Sequence, residues 1–150
     1  MKNRMKMAIL VLIVTPFTFL SCKKYENGGS YGKAEKNIAN TWVFEAYYQD
    51  GIDKTPDLII TNYQETYVDD GTLTRSFTDE DGDPISQVGT YSFADDKSRI
   101  SLSGIGSIEL TNETSTVSTS QYDILKLTDN ELWYDYENGG NRHEFHLVPQ

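Results

Sequence analysis

Three stretches of this chain hold residue types that do chemistry, and each is tested first against the geometry its chemistry needs. His143-Glu144-Phe145-His146 invites zinc. It is one residue short of H-E-x-x-H, and that motif needs a helix to bring both imidazoles to one face. On a strand, residues three apart point to opposite faces. The stretch therefore predicts one interior and one surface histidine, and no metal. Asp79, Asp81 and Asp83 alternate like the start of a calcium loop. An EF-hand then needs Gly at position six and Glu at position twelve, where this chain has Pro84 and Thr90. A solvated acidic turn is the simpler reading. Carboxylates are plentiful, but there is no nucleophile elbow, no Gly-rich phosphate loop and no cysteine–histidine pair. No catalytic residue and no cofactor is assigned, and the chain reads as a non-enzyme.

The single cysteine, Cys22, is the remaining reactive group. Lys2, Arg4 and Lys6 precede an apolar run from Met7 to Leu20, and Ser21 stands directly before the thiol. A basic region, an apolar region and a small residue at the cut describe a bacterial secretory signal over residues 1–21. The run falls short of the roughly 20 apolar residues that a membrane-spanning helix needs. With cysteine at the cut, the stretch resembles a lipoprotein signal, in which the cysteine becomes the acylated N-terminus. Phe19 replaces the usual aliphatic residue, which is similar to the looser boxes of Bacteroidetes-type lipoproteins. Two or three acyl chains, as the resemblance implies, give stable anchoring where one gives marginal binding. Lys23 follows instead of an inner-membrane retention aspartate, so the expected address is the cell envelope, at the outer membrane. A solitary cysteine also removes a disulfide framework.

Residues 1–21 hold three of the 13 basic residues and none of the 23 acidic ones, so cleavage moves the formal net charge from −10 to −13. A domain this acidic does not bind nucleic acid through phosphate neutralisation. It is also repelled by an anionic membrane face, leaving the anchoring to the lipid. The length suits one domain. Ten Tyr, six Phe and two Trp make a β-favouring composition.

Those candidate residues need elements to hold them, and the elements read as short strands. Residues 22–36, with Gly28-Gly29-Ser30 and Gly32, read as a flexible tether. Thr41 to Gln49 alternates, placing Trp42, Phe44, Ala46 and Tyr48 on one face. Tyr63–Val68 and Leu73–Thr78 flank Asp69-Asp70-Gly71-Thr72, a hairpin signal. Further strands are expected over Gln87–Phe93, Arg99–Ser103, Ser120–Leu127, Glu131–Tyr136 and Arg142–Val148, while Ser107–Thr111, after the interruption at Gly104 and Gly106, is a strand, a loop or a bulge. Leu58-Ile59-Ile60 is a short helix or a buried strand, and no amphipathic helix is expected anywhere. Eight or nine short strands with regular turns predict an all-β antiparallel barrel or sandwich.

Several of these segments resemble the bacterial lipocalin-like lipoproteins. Asn37-Ile38-Ala39-Asn40-Thr41-Trp42-Val43 is similar to their first strand, with Asn40 in place of the usual Gly, Gly89-Thr90-Tyr91-Ser92-Phe93 to a central strand, and Tyr122–Trp133 to a late hairpin. The resemblance covers residues 37–148 and implies a single up-and-down barrel of about eight strands over 37–150. It also implies that Trp42 is a buried plug at the closed end.

Two functions fit such a barrel. One holds a small apolar or mixed ligand inside, with Phe44, Tyr48, Tyr91, Phe93, Tyr134 and Tyr136 as candidate walls. The other is a filled barrel that acts through its surface as a scaffold or a glycan- or protein-binding module, with Tyr47, Tyr67, Trp133 and Tyr136 as an outer aromatic patch. The protein partner in that case is unknown.

Overall fold

The structure, a computed structural model, describes residues 23–112, 116–117 and 120–150. The expected signal and Cys22 lie outside them. In chain order come α1 (Ala34–Ile38), β1 (Thr41–Gln49), β2 (Ile52–Asp53), β3 (Thr61–Tyr67), β4 (Thr72–Thr78), β5 (Pro84–Ala94) and β6 (Arg99–Ser103). They are followed by β7 (Ile108–Glu109), β8 (Thr116–Val117), β9 (Gln121–Leu127), β10 (Leu132–Asn138) and β11 (Asn141–Pro149).

The main sheet runs β11-β10-β9-β6-β5-β4-β3-β1-β2, and β1 also pairs with β11. That last pairing closes an eight-stranded antiparallel barrel, with β2 appended to β1. Closure removes the free sheet edges. The small β7–β8 ribbon lies within the β6–β9 connection. The expected up-and-down barrel is the observed fold.

Alternation builds the interior. Tyr63, Glu65 and Tyr67 on β3 are buried, as are Leu73, Arg75 and Phe77 on β4 and Leu132, Tyr134 and Tyr136 on β10. β1 breaks its own pattern. Its register with β11 shifts between Phe44 and Ala46, so the inward set runs Trp42, Phe44 and then Tyr47. A bulge adds one residue and moves everything beyond it to the opposite face. Ala46 and Tyr48 therefore do not share the face of Trp42, contrary to the uniform alternation expected from sequence.

Up-and-down connectivity sorts the loops to two ends. The turns after β3, β5 and β9 share one end with the start of β1, and this end is closed by the N-terminal segment. Residues 23–36 are docked here and do not form the free tether expected. Tyr25 is buried, and its Oη donates to the Lys97 carbonyl at 2.8 Å. Asn27 N donates to the Leu125 carbonyl and Leu127 N to that of Gly28. Gly29 has φ +95°, and a Cβ there would stand 1.9 Å from the Leu127 oxygen. The glycine serves close backbone approach, which the composition alone reads as looseness. Helix α1 follows, with Ala34 and Ile38 fully buried. The Trp42 indole N–H donates to the Ile38 carbonyl at 2.9 Å, tying plug to barrel.

At the other end, the mouth, two segments cross the opening. One runs from Pro56 to Ile60 and the other from Gly104 to Leu110. Ile59 N donates to the Leu110 carbonyl at 2.9 Å, while Ile60, Ile108 and Leu110 are buried beneath.

Candidate functional site

The waist of the barrel is built from β3 and β4 facing β9 and β10 across the lumen. Glu65 and Arg75 are directly paired in register, and both lie between inward residues of their strands. They are 0% and 1% exposed. Arg75 donates through Nε and Nη2 to Glu65 Oε1 at 3.1 and 3.0 Å. Its Nη2 also donates to Tyr122 Oη at 2.7 Å. The Glu65 carboxylate further accepts from Tyr63 Oη at 2.5 Å, Tyr67 Oη at 2.8 Å and Tyr134 Oη at 3.2 Å. Tyr122 and Tyr134 stack at 4.3 Å.

A charge this deep is tolerated only when paired and hydrogen-bonded, and here both conditions are met. Burial pushes the Tyr63, Tyr67 and Tyr134 phenols well above their usual range, and it pushes Tyr122 up to about 12. These hydroxyls stay protonated and able to donate. Because the cluster joins opposite walls, it fills the lumen at this level.

Above the waist, Tyr136, His143 and Phe145 form a second aromatic layer with Tyr47. Tyr47 Oη and His143 Nδ1 share a hydrogen bond of 2.7 Å. Burial lowers the His143 pKa, partly offset by the Asp50 charge. Tyr136 Oη is buried and has no hydrogen-bond partner among the described residues. A buried orphan of this kind is uncommon in native structures.

Open space is found at the mouth. A cleft of about 360 Å³ lies where the crossing segments meet the ends of β4 and β5, with Ile59, Ile60, Phe77, Ile85, Gln87 and Ile108 among its walls. Beside it, β1 and β3 pair only from Thr41 to Val43 and then separate. A second cleft of about 310 Å³ opens there, with Phe44, Leu58, Ile60 and Tyr63 in its lining.

The residues proposed from sequence as ligand walls do not line one cavity. Tyr134 and Tyr136 face inward but are 1% and 4% exposed, inside the packed layers. Phe44 stacks on Tyr63 at 4.1 Å and borders the second mouth cleft. Tyr91 and Phe93 also face inward but lie toward the closed end, beside a separate cleft with Glu35 and Asp70. There Tyr91 Oη donates to the Val68 carbonyl at 2.9 Å. Tyr48 points outward, because the β1 bulge precedes it, and packs on His146 at 5.0 Å. Ile60, Phe77, Ile85 and Ile108 are not among the walls expected from sequence. Their signal is an apolar residue at a strand end next to a loop, which periodicity places on a face but not at a depth.

Of the four aromatics offered as an outer patch, Trp133 alone lies outside; Tyr47, Tyr67 and Tyr136 are buried. Both faces of the Trp133 ring are occupied. His146 is parallel to it at 3.9 Å, and the Lys126 ammonium sits 4.2 Å from its centroid. That leaves no free face on which a sugar ring can stack. The two histidines divide as the strand geometry requires, with His143 buried inside and His146 outside against Glu144. Asp79 Oδ1 accepts from Asp83 N at 2.8 Å, which makes the acidic stretch a hydrogen-bonded turn. No group of three potential metal-ligand residues comes together among the described residues.

No family model matches the chain, and no curated protein matches it at a significant level. Similar solved structures do exist. A lipocalin-like protein from Bacteroides uniformis superposes with a TM-score of 0.50 at 16% identity, covering 76% of this chain and 99% of that one. An uncharacterized protein from Bacteroides eggerthii gives 0.46 at 16% identity, covering 73% and 98%. Apocrustacyanin C1 gives 0.45 at 15% identity, covering 85% and 72%. At such identities the likeness is one of fold: the barrel is lipocalin-like.

Proposed function

We propose that this chain is a lipid-anchored cell-envelope protein of the Bacteroidetes lipoprotein type that binds a small ligand at the mouth of its barrel and performs no catalysis. The observation that carries the binding reading is the cleft of about 360 Å³ at the mouth, with isoleucines and Phe77 on one side and the Asp79–Asp81 turn and Glu109 on the other, a volume within the range of small-molecule sites. The filled waist shifts the ligand from the depth of the barrel to its rim. Acylation of Cys22 accounts for the anchor, and Lys23 beside Asp96 at the closed end supports an orientation with the mouth turned away from the membrane. The acidic surface argues against nucleic acid as a partner. One observation favours a second reading: the packed Glu65–Arg75–tyrosine cluster makes this equally a solid barrel, which suits a scaffold acting through its exterior.

Two measurements test the proposal, the first its anchor and the second its ligand. Changing Cys22→Ser should move the protein from the membrane fraction to the soluble fraction or leave an unprocessed precursor. Fatty-acid labelling that persisted in Cys22→Ser would refute the anchor. Native mass spectrometry of the domain recovered from its own cell envelope should show a retained small molecule. Its consistent absence would leave the scaffold reading.

A further inference from the structure

The outside of the barrel is divided by charge. On the wall made by β10, β11 and β1 the outward residues include Asp135, Glu137, Arg142, Glu144 and Glu45. The opposite wall, made by β3, β4, β5 and β6, has a different chemistry. Every second residue from Thr72 to Thr78 on β4 points outward, and each is threonine or serine. From Pro84 to Ser92 on β5 the outward residues are exposed and uncharged. Gln64 and Thr66 flank them through β4, and Ser101 and Ser103 on the other side. Apart from Arg99, which is tied to Asp95 and Asp123 at the end of β6, no outward side chain of these four strands is charged. The chain holds 23 acidic residues against 13 basic ones, yet this wall carries none of the excess. In its midst Val88, opposite Thr74, is 65% exposed, the most exposed large apolar side chain among the described residues.

We infer that two copies of this chain meet through this wall in a weak, symmetric dimer. A two-fold interface uses the same patch on both copies, so the patch must complement itself. An acidic surface cannot do so. Hydroxyl and amide side chains can, because each both donates and accepts. They already pair with one another within the wall: Thr41 Oγ1 and Thr66 Oγ1 share a hydrogen bond of 3.0 Å, and Gln121 Nε2 donates to Ser101 Oγ at 3.4 Å. Their side chains are short and lose little rotamer freedom on contact. Four strands about 4.8 Å apart, with outward residues about 6.8 Å apart along each, make a wall of about 500 Å². Two such walls bury about 1,000 Å², the lower bound for a specific interface. No aromatic anchor lies at the centre, so the association is reversible. The wall is lateral, and copies standing on their closed ends as proposed above meet through it with both mouths pointing the same way. The inference does not depend on the ligand reading.

Sedimentation equilibrium of residues 22–150 carrying Cys22→Ser tests this, since the substitution removes both the acyl acceptor and any disulfide between copies. The protein should be monomeric when dilute and dimerise as its concentration rises to the millimolar range. Raising the salt from about 50 mM to about 500 mM should tighten the dimer about threefold or more, because repulsion between two acidic copies is screened. Val88→Glu and Thr90→Glu, made singly, each set a like charge in both halves of the contact and should weaken dimerisation about tenfold or more. Both positions are exposed, so the fold should be kept, as unchanged melting temperatures will verify. Asn141→Glu adds the same charge in the turn between β10 and β11, on the opposite wall, and should change dimerisation less than about twofold. In the parent, the amide resonances of Thr74, Val88 and Thr90 should shift with concentration while those of Glu137 and Glu144 stay in place. A dimer that loosens with salt, or one indifferent to both β5 variants, would overturn the inference. A monomer at every concentration and salt would overturn self-association and leave the wall to a different neutral partner.

Discussion

Glu65 and Arg75 decide what this barrel holds. A charged pair in the interior is held by geometry more than by net energy, because desolvation offsets most of the Coulombic attraction. Here three tyrosine hydroxyls and a bidentate guanidinium share one carboxylate, so removing one member strands the others. Arg75→Met should cost about 3–5 kcal/mol by leaving Glu65 buried and unpaired. Glu65→Leu should cost a similar amount. The double variant should cost clearly less than the sum in urea denaturation, since neighbours in one network are not additive. Strict additivity would show that the two charges are not coupled. Both residues were legible in principle. Glu65 lies between Tyr63 and Tyr67, and Arg75 between Leu73 and Phe77, so period two turns each inward. A charge flanked by apolar residues is ordinarily read as the outward one, and only the cross-strand partner corrects that.

At the scale of elements, strand positions were nearly all readable. The turn chemistry of Asp69-Asp70-Gly71 and Thr128-Asp129-Asn130 marks strand ends to within a residue or two. What escaped reading depends on neighbours distant in sequence. The β1 bulge is visible only against β11, and it moves Tyr48 from the inside to the outside. The docked segment before β1 was read as a tether because Gly28 and Gly29 look alike in a linker and in a close contact. The same Tyr-Glu-Asn-Gly-Gly pentapeptide recurs at 136–140, where a Cβ on either glycine would meet nothing within 4 Å. Identical residues serve a packed contact in one place and an open hairpin turn in the other. Trp42 couples α1 to the barrel, so Trp42→Ala should cost roughly 3–5 kcal/mol, a large part of the 5–15 typical of a whole domain. Trp133→Ala, on the outer face, should cost less. Denaturant midpoints in the reverse order would mean that the closed end is not held by the Trp42 plug.

Over the whole molecule, the barrel has a solid waist, a plugged end and a mouth crossed by two apolar segments. The fold class followed from strand spacing, because eight alternating segments with short turns have few other ways to bury one face each. The location of the site did not. Which inward residues meet a gap and which are packed solid depends on the sum of side-chain volumes at each level, and alternation carries no such information. Tyr134 and Tyr136 illustrate the point: they face the interior as expected and have no space beside them. The central claim is that binding takes place at the mouth, above a filled waist. It is tested most directly by filling the mouth. The domain and its Ile85→Trp variant, each recovered from the same cell envelope and matched in folded content, are compared by native mass spectrometry. The account predicts a small molecule retained by the parent and lost from Ile85→Trp. Retention of the same molecule by both proteins, or by neither, would contradict it.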